Sequence, residues 1–167
     1  MNCPACGAPI TLKPDTQGFK CDYCHAVFYP GEEDDGVQVS SDTGDSNQAC
    51  PLCKMPLVKA SITSVQVQYC TECHGLLMHM GALSDLIDAL RANLDKPAVQ
   101  TPPDHGDLKR SIQCPQCHRR MDTHFYAGPG NVIVDSCGDC YLIWLDRGEL
   151  MRIVHAPDEG DKSESDW

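Results

Sequence analysis

Twelve cysteines arranged as six C-x-x-C pairs constrain this chain more than any other feature. They stand at Cys3 and Cys6, Cys21 and Cys24, Cys50 and Cys53, Cys70 and Cys73, Cys114 and Cys117, and Cys137 and Cys140, with none left over. Taken two pairs at a time, they enclose stretches of 14, 16 and 19 residues. That is room for a β-hairpin and too little for a separate domain. A C-x-x-C turn presents two thiolates to one ion, and a second pair on the neighbouring hairpin supplies the other two. The result is the four-sulfur tetrahedron that structural zinc prefers. The expected cofactors are therefore three Zn2+. Iron suits the same four-thiolate cages, since ligand type alone does not separate the two metals.

The rest of the composition says why metal is needed. Of 167 residues only ten are aromatic, against 13 Gly and 12 Pro. Units this small bury too little apolar surface to offset chain entropy, so a staple has to hold them. The start of the sequence, Met1 to Cys6, shows neither a basic nor an apolar leader region. No run approaches the roughly 18 apolar residues of a membrane span. The expectation is a cytoplasmic chain with no membrane insertion, whose thiols stay reduced and bind metal instead of forming disulfides.

Three of the pairs, those ending at Cys24, Cys73 and Cys117, are followed directly by His25, His74 and His118 and so match the haem-attachment pattern C-x-x-C-H. The other three pairs would have no role in a haem protein, and haem attachment needs export from the cytosol. A simpler reason exists for the histidines: the residue after a metal knuckle often takes φ > 0, where Gly is easiest and His is tolerated. With every four-cysteine site complete, His79, His105, His124 and His155 are read as surface or packing residues.

The sequence divides at its gaps: a zinc ribbon at 1–30, an acidic flexible linker at 31–48, a second ribbon plus helix at 49–94, a Pro-containing linker at 95–112, a third ribbon plus helix at 113–155, and an acidic tail at 156–167. The net charge of −11 is concentrated in the first linker and the tail, a pattern of solvated segments. The fold class is thus small metal-stapled domains, three tandem zinc ribbons built on β-hairpin knuckles, the second and third each followed by a short α-helix. Each unit is expected to close on its own four cysteines and to fold independently.

Units two and three form an internal repeat. Setting Cys73 on Cys140 brings Leu77 onto Trp144, Met78 onto Leu145, Gly81 onto Gly148 and Leu83 onto Leu150 without a gap. Val65-Gln66-Val67 matches Val132-Ile133-Val134 in the hairpins, where alternation predicts half-buried strands. Leu83, Leu86, Ile87, Leu90 and Leu94 recur at helical spacing. Asp146 and Glu149 have the spacing of a capping box ahead of Leu150, Ile153 and Val154.

Residues 114–154 resemble the bacterial TFIIB-type zinc-ribbon family. The resemblance is carried by Cys114-Pro115-Gln116-Cys117, Val132 to Val134, Cys137-Gly138-Asp139-Cys140 and above all Ile143-Trp144-Leu145-Asp146-Arg147-Gly148-Glu149-Leu150. Residues 50–90 look like a diverged copy that keeps the cysteines, Gly81 and Leu83. The first unit is similar only to zinc ribbons in general. The resemblance implies zinc ribbons; fold alone does not fix function.

A non-catalytic protein-interaction adaptor or scaffold with a protein partner is the leading expectation. A nucleic-acid-binding or transcription-associated protein is the alternative. Phosphate binding needs clustered Lys and Arg, and the best basic group is Arg119-Arg120 near Phe125 and Tyr126. No enzyme is expected: a catalytic zinc keeps an open coordination position, which four cysteines close.

Overall fold

The computed structural model describes residues 36–39, 45–93, 106–127 and 132–156, with 8, 19–20, 23 and 27–28 as short pieces. In the first unit the strands β1 (Phe19–Lys20) and β2 (Val27–Phe28) pair antiparallel. Cys3, Cys6, Cys21 and Cys24 lie outside the described residues, as do Leu94, His105 and the tail beyond 156.

Eight strands make one antiparallel sheet: β3 (Gln38–Val39), β4 (Asp45–Ala49), β5 (Pro56–Ile62), β6 (Val65–Tyr69), β7 (Leu76–His79), β8 (Asp122–Phe125), β9 (Ile133–Cys137) and β10 (Leu142–Leu145). Helix α1 (Met80–Arg91) follows β7 and helix α2 (Glu149–Val154) follows β10. The path through the sheet is β5-β6-β7-β10-β9-β8, so the second and third ribbons meet through their last strands. In that seam Leu77 stands opposite Trp144, with Leu76 opposite Leu145 and Met78 opposite Ile143. The repeat also superposes Leu77 on Trp144, so the seam joins two like copies about an approximate two-fold axis.

This junction departs from the expectation of independent units. β7 and β10 are apolar on both faces, because alternate residues enter two different cores. Leu76, Met78, Ile143 and Leu145 join Ile62, Val67, Val134, Leu86 and Ile153 under the helices. Leu77, Leu142 and Trp144 join the cysteines on the opposite face, hereafter the metal face. A continuous apolar strand buries both faces only if a second strand and a second layer cover it, and the neighbouring ribbon supplies them. The two helices are tied as well. The Arg91 guanidinium at the end of α1 donates to the carbonyls of Ile153 (3.0 Å), Val154 (3.2 Å) and Ala156 (3.0 Å), satisfying the C-terminal acceptors of α2.

Two stretches read from the sequence as linkers contribute to this body. Within 31–48, β3 and β4 both pair with β5. Within 95–112, residues 106–112 run into the third ribbon and bury Ile112. The capping box is also realised only in part. The Glu149 carboxylate accepts from the Asp146 N–H at 2.7 Å, yet the residue before α2 is Gly148 at φ 81°. The Asp146 side chain is drawn instead to Trp144 and Arg110, which offer it donors of their own. In the second ribbon the corresponding residue, His79, caps α1 by accepting from the Gly81 N–H at 3.3 Å.

Candidate metal centres

A knuckle is a tight turn whose peptide groups point at sulfur. Three of the four such turns in the described ribbons close with backbone bonds of one pattern. Lys54, His74 and His118 donate to the carbonyls of Cys50, Cys70 and Cys114 at 2.9–3.0 Å. The residue after each second cysteine has left-handed backbone: Lys54 at 63°, His74 and His118 at 60°, Tyr141 at 54°. Of the histidines that raised the haem pattern, His74 and His118 therefore sit where the turn demands φ > 0, and His25 lies outside the described residues. His74 also shares a hydrogen bond with the Tyr69 hydroxyl through Nδ1.

These turns bring the thiols together four at a time. Cys50, Cys53, Cys70 and Cys73 form one cluster and Cys114, Cys117, Cys137 and Cys140 another, with all four sulfurs of each within 4.8 Å of one another. Individual separations are 3.5 Å from Cys50 to Cys73, 3.3 Å from Cys53 to Cys70 and 3.6 Å from Cys117 to Cys137. A tetrahedron with 2.3 Å arms has edges of about 3.8 Å, whereas a disulfide would bring two sulfurs to about 2.0 Å. All eight thiols are free, and in each cluster two are buried and two half-buried. They face one another, as a shared ion requires.

The electrostatics fit a cation as well. Burial pushes the Cys50 thiol up to about 11 and Cys140 up to about 12, and raises Cys73 and Cys137. Peptide N–H groups work in the other direction: that of Met55 brings Cys53 down to about 7, and that of Arg119 brings Cys117 down to about 7. The turns thus aim donors at sulfur anions that their own crowding disfavours. A divalent ion in the centre resolves the conflict. The donor set and its spacing support zinc at both sites.

What holds the third ribbon beside its site is a polar network. The Asp135 carboxylate, wholly buried, accepts from Arg110 and from the Thr123 hydroxyl. Arg110 also donates to Asp146, which accepts from Trp144 Nε1 at 2.9 Å. Trp144 packs over Gly75 of the second ribbon, where a Cβ would come within 2.1 Å of the indole. The indole therefore links the two sites. Sequence reasoning used Trp144 for the repeat and the family resemblance and Asp146 for the resemblance and a capping box, and left Arg110 inside a linker. No local pattern marks Arg110, since its partners lie 25 and 36 positions away.

Arg119 and Arg120 are exposed at the tip of a knuckle, Arg119 paired with Asp139 at 2.7 Å. Phe125 is exposed at the other end of β8, and Tyr126 packs against the core under the helices. The four do not form one patch. His79 and His124 are exposed, and His155 is buried. Among the described residues no helix is long and apolar enough to cross a membrane.

No curated protein and no solved structure matches the chain. A family model described as transcription factor zinc-finger, the TFIIB-type zinc ribbon, matches residues 49–89 and 113–156, just over half of the sequence.

Proposed function

We propose a function from one premise: this chain belongs to the TFIIB-type zinc-ribbon family, described as transcription factor zinc-finger. On that premise it is a zinc-binding, non-catalytic protein-interaction adaptor or scaffold with three four-cysteine zinc ribbons. The ligands are Cys50, Cys53, Cys70 and Cys73, then Cys114, Cys117, Cys137 and Cys140, with Cys3, Cys6, Cys21 and Cys24 holding a third ion. Its setting is the cytoplasm. The observation that carries this reading is the closure of both described clusters by four thiols from the chain itself. An ion held so has no position left for water or substrate, so its work is to hold a surface in shape. In sequence, acidic segments at 31–35 and 158–166 stand on either side of the two ribbons, and their charge opposes phosphate.

The second reading, nucleic-acid binding in a transcription-associated role, draws on the family description. The pairing of Arg119 with Asp139 and its distance along β8 from Phe125 weigh against it. Recovery of a protein partner by the zinc-loaded chain and not by the chelator-stripped chain tests the first reading. Binding to mixed DNA and RNA decides the second: micromolar affinity that persists at physiological salt and is lost on Arg119→Ala with Arg120→Ala would overturn the adaptor.

A further inference from the structure

On the metal face of the sheet a groove of about 1020 Å3 runs between the knuckles that begin at Cys50 and Cys114. Strand alternation puts polar side chains on its floor beside the apolar Leu77 and Leu142. Val58, Ala60, Val67 and Tyr69 turn toward the helices, so Lys59, Gln66 and Gln68 turn the other way. In the third ribbon the position equivalent to Gln68 is Asp135, and Arg110 covers it. Among the described residues no cation covers Gln68 in this way, and the groove they line is open.

Two features define what fits. The first is amide chemistry. Gln68 donates to Gln48 Oε1 at 2.5 Å, and Gln48 donates to Gln116 Oε1 at 3.3 Å, a ladder that crosses from one ribbon to the other. Gln66 and Gln113 also line the groove, while Gln68 Oε1 is buried with no donor among the described residues. Carboxamides donate and accept together, which matches the alternating N–H and C=O groups of an extended peptide. The second feature is charge. Lys54 and Lys59 line the groove and, among the described residues, no Asp or Glu does, in a chain of net charge −11. A single-stranded nucleic acid suits the groove less well, because among the described residues no Phe, Tyr or Trp lines it to stack bases and two lysines neutralise few phosphates.

We propose that this groove binds an extended, acidic polypeptide segment of a protein partner, with the carboxamides holding its backbone and Lys54 and Lys59 its carboxylates. This rests on the adaptor reading and gives it a surface. The test uses the full zinc-loaded chain and three probes: a decapeptide of alternating Glu and Ser, its Lys-Ser counterpart, and a ten-nucleotide oligo-dT. Side-chain amide NMR signals of Gln48, Gln68 and Gln116 are followed during titration. The Glu-Ser peptide is expected to shift them and the Lys-Ser peptide to leave them unmoved. Lys59→Glu should weaken the acidic peptide at least tenfold at unchanged zinc content, and Lys59→Arg should restore it. Absent shifts, shifts confined to other residues, oligo-dT displacing the peptide, or wild-type binding by Lys59→Glu would each overturn the groove. A failed titration overturns it even where the wild-type chain still recovers a protein partner, and the adaptor reading then stands. A successful titration beside an empty pull-down upholds the groove and sinks the adaptor.

Discussion

A methyl group added at Gly75 would stand 2.1 Å from the Trp144 ring, inside the closest approach of any two carbons, while one added at Gly138 would meet nothing within 4 Å. Both glycines lie in or beside a knuckle, so the pair separates packing from turn chemistry. Gly75→Ala should cost about 1–3 kcal/mol through overpacking against the indole, and Gly138→Ala well under about 1 kcal/mol. Thermal melts of the zinc-loaded variants check this, and equal melting temperatures would mean the indole does not rest there. Arg110 offers a second test. Its removal leaves Asp135 wholly buried without its counter-charge, so Arg110→Ala should destabilise the third ribbon by about 3–5 kcal/mol. Arg110→Lys should recover only part of this, because an ammonium lacks the planar fork that spans two carboxylates. Denaturant midpoints read the difference, and a neutral Arg110→Ala would remove the network from the account. At this scale the sequence was legible wherever a residue's role is set by its neighbours. The eight described cysteines and the left-handed residue after each described knuckle are of that kind. Arg110 and Gly75 are not, since each is defined by a partner distant along the chain.

Between elements, the seam of β7 and β10 decides how the two described ribbons behave. The hairpin strand β6 was readable from alternation, and the stripe of α1 from its 3.6-residue period. β9 is a strand as expected but is buried at every residue instead of half-buried, because it lies between β8 and β10 and its Asp135 is covered by Arg110. β7 and β10 were not expected as strands. Leu76-Leu77-Met78 and Leu142 to Leu145 are short continuous apolar runs that carry no period, and such a run fits a strand buried on both faces only when its cover is known. The seam also revises the expectation of independent folding. Cys137→Ser removes one ligand of the third site, and in separate units only that ribbon would open. With Leu76, Met78, Ile143 and Leu145 in one core, the loss should spread, raising amide exchange in β7 and α1 as well as in β9 and β10. Hydrogen exchange of the variant measures it segment by segment. Protection of β7 and α1 equal to wild type would show that the second ribbon stands without the third.

At the scale of the whole body, the described residues place two zinc ribbons edge to edge in a single sheet, with their four-cysteine clusters on one face and their helices on the other. Family membership and the metal clusters were legible from the cysteine spacing and the run from Ile143 to Leu150. The joint body was not, because tandem spacing fixes what each ribbon binds and leaves open how the ribbons pack. Metal supplies the stability that so small a core cannot: apparent binding on the order of 10–16 kcal/mol accompanies folding in comparable modules. Chelation should therefore melt the sheet as a whole. Native mass spectrometry of the full chain, purified without added metal, bears most directly on the central claim. Masses of three zinc ions per chain with all twelve cysteines reduced are the expected result. A chain carrying disulfides in place of zinc, or the mass of iron or of attached haem, would contradict it.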